Sequence, residues 1–262
     1  MEESKINHYP NLVQSMGITG IVIMSIILFA PINIIFNNLI EVEFLIFFYY
    51  FLSLGTSFLI IFFIRKRENK IDNKFKFSID EKTVIIVVSV VVVVLIHIIS
   101  SGIGGLIPMP EMIEKMFVSL GEKHGLFSFL LMVILAPFFE ELIFRGIMLD
   151  GLLKNYSPEK SILISSILFG LVHLNPWQFV TGFFMGIFVG WIYYKTKSVM
   201  LAIILHASVN LSGFLLKVFD IFDSQIFIEI FGGILNLFLA INGLMLLIAA
   251  CIYCLNKEFK KK

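Results

Sequence analysis

The 262-residue sequence has little charge and almost no cysteine. Charged side chains make up 15% of it, whereas a soluble domain has about 25%. The two cysteines, Cys251 and Cys254, both lie in one late apolar run, so they cannot form a disulfide framework. A net charge of +1 provides no general field that would attract polyanions. These absences exclude a disordered protein, a disulfide scaffold and a nucleic-acid-binding protein.

Hydrophobic residues make up 58% of the chain and occur in long blocks. In a bilayer only helices and closed barrels satisfy their own backbone hydrogen bonds, and these blocks exceed the roughly ten-residue strands of a barrel. We therefore expect an all-α, polytopic transmembrane bundle in the cell membrane, with residues 1–262 forming one domain. At about 20 residues per crossing, the sequence predicts about eight spans, near 12–38, 44–64, 83–107, 126–149, 161–175, 177–194, 198–218 and 225–255.

The distribution of lysine and arginine predicts the orientation of these spans. With a cytoplasmic N-terminus, sixteen of the 20 cations lie in cytoplasmic segments and three lie outside, which is the bias expected of a membrane protein. Both termini are therefore predicted to be cytoplasmic. The basic loop 65–82 is expected to determine topology by lying on anionic headgroups rather than to form a specific site.

Six polar residues interrupt the predicted spans. Each ionisable one costs about 2.5–3.5 kcal/mol or more at the bilayer centre, and helical rise places all six at a similar depth. They occur on three spans: Glu140, Glu141 and Arg145 on the fourth, His173 on the fifth, and His206 and Asn210 on the seventh. Any one of them alone is better explained as an interhelical hydrogen bond, but convergence at one depth indicates a site.

The spacing of these residues predicts their roles. Glu141 and Arg145 are four residues apart and can form an ion pair, while Glu140 is rotated by about 100° and can face a cavity. A glutamate can activate water as a general base while histidines position that water or a metal. Asn210 and a histidine can donate to a developing oxyanion. The Glu141–Arg145 pair is equally consistent with a supporting role.

The strings EELIFR at 140–145, FGLVH at 169–173 and HASVN at 206–210 resemble the EExxxR, FxxxH and HxxxN motifs of the CPBP family. That family, also called Abi, groups type II CAAX prenyl endopeptidases with bacteriocin-processing and self-immunity proteins. The likeness covers roughly residues 126–212, within predicted core helices 126–218. It implies an α-helical intramembrane endopeptidase.

In that resemblance Glu140 is the water-activating glutamate, and His173 shares the water or a metal. His206 and Asn210 complete the site. Glu141 is a further catalytic candidate, and Arg145 and Phe169 are supporting residues of the site. Two mechanisms stay open. A divalent metal such as zinc bound by Glu140, His173 and His206 would leave Glu141 as the base, whereas a metal-independent enzyme would use Glu140. The helical zinc motif HExxH is absent.

The expected substrate is a membrane-associated peptide or a lipidated protein. The many Ile, Phe, Lys and Asn residues are typical of an AT-rich bacterial genome, which favours peptide or bacteriocin processing, or self-immunity, over cleavage of prenylated CAAX proteins. The non-enzymatic alternative is a membrane immunity or scaffold protein that binds a peptide or partner. Finally, Gly182, Gly186 and Gly190 form a close-packing ridge, which we expect to act within the chain.

Overall fold

The computed structural model describes residues 8–36, 38–68, 74–105, 107–111, 125–218 and 233–261. These residues form helices and no strand, which confirms the predicted all-α polytopic bundle. In chain order the helices are α1 (Leu12–Phe29), α2 (Pro31–Phe36), α3 (Val42–Glu68), α4 (Thr83–Gly105), α5 (Leu126–Asn155), α6 (Pro158–Leu171), α7 (Pro176–Thr196), α8 (Val199–Val218) and α9 (Ile234–Phe259).

The two helices α6 and α7 form a hairpin, and both start with the same local signal. Ser157 and Asn175 are the N-cap residues, and each accepts a hydrogen bond from the backbone N–H three positions on. A proline follows each cap, where its missing N–H costs nothing and its fixed φ suits the helix. These local signals mark helix starts that lie three residues before the predicted 161 and one residue before the predicted 177.

Helix α5, which carries the EExxxR motif, is not a regular α-helix throughout. Its segments Leu130–Leu135 and Leu142–Leu149 are π-helical, a conformation that is rare and concentrated at functional sites. Side chains of three other helices donate to carbonyl oxygens of these segments. The pairs are Asn210 to Met132 (2.7 Å), Ser165 to Phe144 (3.3 Å) and Arg65 to Gly146 (2.7 Å). These bonds fix α5 in the bundle on the two sides of the glutamates.

The glycine ridge of α7 packs against α6, as predicted. A Cβ at position 186 would lie 3.0 Å from the Cβ of Ser166, and one at position 190 would lie 3.3 Å from Ile162. The absence of side chains lets the two backbones approach closely. The hairpin in turn packs on α4, while α5 lies between α3 and α8.

The predicted number of spans is not confirmed at the hairpin. Among the described residues, six helices are long and apolar enough to cross a membrane, and neither α6 nor α7 is one of them. Helix α6 has 14 residues and covers about 21 Å at 1.5 Å per residue, less than the roughly 30 Å of the hydrocarbon core.

The hairpin does not affect the predicted orientation, because counting it as two spans or as none leaves both chain ends on the same side. The last predicted span, 225–255, falls partly outside the described residues, and α9 begins at Ile234. The protein is a multi-pass membrane protein, and the cytoplasmic location of its termini stays a prediction.

Candidate active site

Three of the predicted residues form a buried cluster between α5 and α8. Arg145 Nη1 donates to Glu141 Oε1 at 2.7 Å, as the spacing predicts, and His206 Nδ1 lies 2.8 Å from the same oxygen. The Glu141 side chain is 0% exposed and that of Arg145 is 1% exposed. One buried carboxylate therefore neutralises the arginine and orients the histidine.

Glu140 lies on the other edge of the same imidazole ring. Its Oε2 is 3.9 Å from His206 Nε2, and its side chain is 16% exposed. This distance exceeds that of a direct hydrogen bond and is one at which a shared water has to be considered. The two adjacent glutamates thus have different environments, because Glu141 is fully buried beside Arg145 and His206 whereas Glu140 is partly exposed.

The hydrogen bonds determine which nitrogen of each histidine carries a hydrogen. Glu141 Oε1 already accepts a hydrogen bond from Arg145, so His206 Nδ1 donates to the same oxygen. His173 Nδ1 lies 3.0 Å from the carbonyl oxygen of Phe169, which also only accepts. In the neutral form both rings therefore carry their lone pair on Nε2.

Phe169 contacts all the ring and guanidinium groups of the site. Its ring centroid is 5.3 Å from that of His173 and 5.6 Å from that of His206, both in edge-to-face geometry. The Arg145 guanidinium carbon lies 4.6 Å from the same centroid, within the range of a cation–π contact. Phe169 therefore packs between the two histidine-bearing elements and fixes both imidazoles.

His173 lies in the turn after α6 rather than within a helix, which corrects the predicted span of 161–175. Helix α6 ends at Leu171 because the chain turns at Leu174, which has a positive φ of 56°. Asn175 Nδ2 donates to the His173 carbonyl oxygen at 2.8 Å. The turn places His173 at the inner end of a short helix, where a full-length span would have carried it past the site.

Asn210 shares a helix face with His206, but its described contact is with α5. Its Nδ2 donates to the Met132 carbonyl oxygen at 2.7 Å in the first π-helical segment. This bond uses one of the two amide hydrogens and ties α8 to the motif helix. The expectation that Asn210 donates to an oxyanion stays a prediction.

The predicted metal ligands have the supporting hydrogen bonds of a metal site, but they are not grouped closely enough to form one. Metal-bound histidines commonly donate their second nitrogen to a carboxylate or a carbonyl oxygen, as both His173 and His206 do here. In the part of the chain that the structure describes, however, no three His, Cys, Asp or Glu side chains are close enough together to hold a metal ion. The arrangement therefore does not fit a three-ligand metal site, and the predicted divalent metal stays a prediction.

Two residues near the site were not identified from the sequence. Arg65, counted only as part of a basic loop, is 3% exposed and binds both the Gly146 carbonyl oxygen and Asp150, the latter at 3.3 Å. Asp150 lies in α5 just after the motif, and no sequence pattern indicated it as a site residue. The sequence does place Arg65 and Asp150 at the same predicted membrane face. Their pairing could not be predicted, because it joins residues 85 positions apart.

Comparison with known proteins agrees with the motifs. Residues 122–212 match the family model described as type II CAAX prenyl endopeptidase, Rce1-like. The UPF0177 protein YxdF of Lactococcus lactis subsp. lactis (strain IL1403) is 31% identical over 105 residues, which are 39% of this chain. The alignment spans 58% of that relative's length.

No solved structure matches the chain. The motifs and the matched family model cover the same part of the chain, namely α5 to α8. The resemblance to the type II CAAX prenyl endopeptidases that the three motifs predict is thereby confirmed over residues 122–212.

Proposed function

We propose that this protein is an intramembrane endopeptidase that hydrolyses a peptide bond with water activated by Glu140. The observation that carries the proposal is the position of His206, with Nδ1 at 2.8 Å from Glu141 and Nε2 at 3.9 Å from Glu140. A histidine held by one carboxylate and presented to a second polar group is the arrangement used for proton transfer and water orientation.

The environments of the two glutamates assign their roles. Glu141 is fully buried and its Oε1 is occupied by Arg145 and His206, so it acts as a positioning residue that holds the ring. Glu140 is partly exposed, and its Oε2 lies 3.9 Å from His206 Nε2. The accessible carboxylate is the one that can meet a substrate water, and it is therefore the general base.

The reaction then proceeds through the chain's own groups. A water donates one hydrogen to Glu140 and the other to the lone pair of His206 Nε2, leaving its oxygen free to attack the scissile carbonyl carbon. Glu140 takes the first proton as the C–O bond forms, and the carbonyl oxygen becomes an oxyanion. Glu140 then passes that proton to the amide nitrogen, the C–N bond breaks, and a carboxylic acid and an amine leave.

The substrate class that we propose is a hydrophobic, membrane-associated peptide, in peptide processing or self-immunity. The support is the site's location within the apolar helices α5 and α8 and a relative from Lactococcus, which agrees with a bacterial source. A second candidate is cleavage of prenylated CAAX proteins, because the description of the matched family model names that activity.

The test is Glu140→Gln, which keeps the shape of the side chain and removes the base. Membranes of cells that express the wild type or the variant are compared by mass spectrometry for new peptide termini. We expect turnover to fall by a factor of about 10²–10⁴, the usual contribution of a general base. The exposed Glu159 on α6 supplies the matched control, Glu159→Gln, which should cleave like the wild type.

The remaining candidates are separated in the same preparation. If Glu140→Gln produces the new termini at the wild-type level, Glu140 is not the general base. If the wild type produces no new termini, a non-enzymatic immunity or scaffold protein is favoured. A farnesylated CAAX peptide added to proteoliposomes tests the second candidate directly. Activity that is lost on exhaustive chelation and restored by zinc would contradict the metal-independent mechanism.

A further inference from the structure

A basic pocket lies where the ends of α3 and α5 meet the turn between α7 and α8, at the end of the bundle that the charge distribution predicts to be cytoplasmic. Its volume is about 290 Å³, at the lower end of the range of ligand pockets. Five cations and one carboxylate line it: Arg65, Lys74, Lys76, Lys154, Lys197 and Asp150. We propose that this pocket binds the phosphate group of an anionic membrane lipid.

The backbone around the pocket is held by packing, and the buried Arg65 lies at its base while Lys74, Lys154 and Lys197 are exposed. The backbone N–H of Val199 donates to the Lys76 carbonyl oxygen at 2.9 Å, and Ser198 Oγ donates to that of Ser78 at 2.8 Å. Phe75 covers Gly146, where an added Cβ would collide with its ring. Part of the basic loop is therefore anchored to the bundle, which differs from the expectation that the loop merely lies on headgroups.

The charges in this pocket are not balanced. Asp150 is the single carboxylate for three cations, at 3.3 Å from Arg65, 2.8 Å from Lys154 and 4.0 Å from Lys197. Lys76 pairs with a different carboxylate, Asp80, at 2.7 Å. The Nε of Arg65 is buried and has no hydrogen-bond partner among the described residues. Among the described residues, Arg65, Lys154 and Lys197 thus share one carboxylate and carry excess positive charge.

Two further observations favour an anion at headgroup depth. Burial lowers the pKa of the Lys197 ammonium, and the neighbouring Lys154 lowers it further, whereas Asp150 raises it. A bound phosphate would supply the missing negative charge and accept several N–H donors at once. Basic pockets between helices at the cytoplasmic side of a membrane are suited to anionic lipid headgroups, and the lining residues here lie at helix ends.

The test uses the full-length protein, purified in detergent and delipidated. Dioleoyl phosphatidylglycerol, dioleoyl phosphatidylcholine and inorganic phosphate are titrated separately, and bound lipid is counted by native mass spectrometry. We expect one phosphatidylglycerol to be retained and phosphatidylcholine to bind more weakly. The variant K154Q/K197Q should bind phosphatidylglycerol about 25-fold more weakly, or roughly five-fold per lysine removed.

The matched control is K160Q/K195Q, which removes the same charge at the same end of the bundle from exposed residues outside the pocket. It should change the affinity less than two-fold. Equal weakening in the two double variants, or equal affinity for the two lipids, would overturn the proposal. Saturable binding of inorganic phosphate without retained phosphatidylglycerol would show that the pocket binds free phosphate and would overturn the proposal that it binds a lipid. If K154Q/K197Q does not fold, K197Q alone should show the five-fold loss.

Discussion

Two buried arginines contact helix α5, and they differ in how their charge is balanced. Arg145 is 1% exposed and pairs with a carboxylate that is itself fully buried. Arg65 is 3% exposed, but its carboxylate, Asp150, is shared with two lysines. In the first environment one buried carboxylate balances one buried arginine, as suits a site that must hold one geometry. The second has more positive charge than the chain neutralises, as suits a site for an anion.

The largest expected effect is that of breaking the balanced pair. Arg145→Met leaves Glu141 as a buried charge with only His206 beside it. Removing one partner of a buried ion pair costs about 3–5 kcal/mol, so the free energy of unfolding should fall by that amount and His206 should lose its fixed orientation. Thermal unfolding in detergent, followed by tryptophan fluorescence, measures it. A loss below about 1 kcal/mol would show that the pair behaves like a surface ion pair.

Arg65→Met should cost less, because Asp150 keeps Lys154 and Lys197 as partners. The main loss is the charged hydrogen bond of 2.7 Å to the Gly146 carbonyl oxygen, and one such bond contributes about 1.5–3 kcal/mol. The bond to Asp150 is longer, at 3.3 Å, and its loss leaves that carboxylate paired. The same unfolding measurement applies. If Arg65→Met were more damaging than Arg145→Met, the contrast between a balanced and an unbalanced buried charge would be wrong.

Gly186→Ala tests whether the candidate active site can be disturbed without disturbing the basic pocket. The new Cβ would lie 3.0 Å from that of Ser166, so α7 must move away from α6, the helix that leads into Phe169 and His173. Overpacking of this kind costs about 1–3 kcal/mol. Peptide cleavage should fall, whereas phosphatidylglycerol binding should be kept. Gly102→Ala is the control, because no atom lies within 4 Å of its added Cβ.

The smallest expected effect is on the pH dependence of stability. The folded pKa of Lys197 lies below its ordinary 10.5, so the unfolded chain holds that proton to higher pH. The cost of charging Lys197 is therefore present below the folded pKa and diminishes as the pH rises towards 10.5. Between these values the stability of the wild type should rise with pH relative to Lys197→Gln. Unfolding midpoints of Lys195→Gln, compared over the same range, should follow the wild type.

Local spacing was sufficient to predict part of the site. Glu141 and Arg145 are one helical turn apart, so their ion pair follows from the sequence once a helix is assumed. The caps at Ser157 and Asn175 likewise depend on neighbouring residues. His173 was placed in a helix because apolar residues continue to Leu174, but the turn there depends on how the hairpin closes against α4.

The sequence by itself determined that the protein is a helical membrane bundle and which polar residues interrupt it. Composition and short-range spacing decide these properties because they reflect the solvent around the chain and one turn of helix. Only the tertiary structure decided that Glu141 is fully buried while Glu140 is partly exposed, and that Phe169 contacts both histidines. It also brought Arg65 to Asp150 across 85 positions. These features depend on the rotation and packing of distant helices, which no local pattern contains.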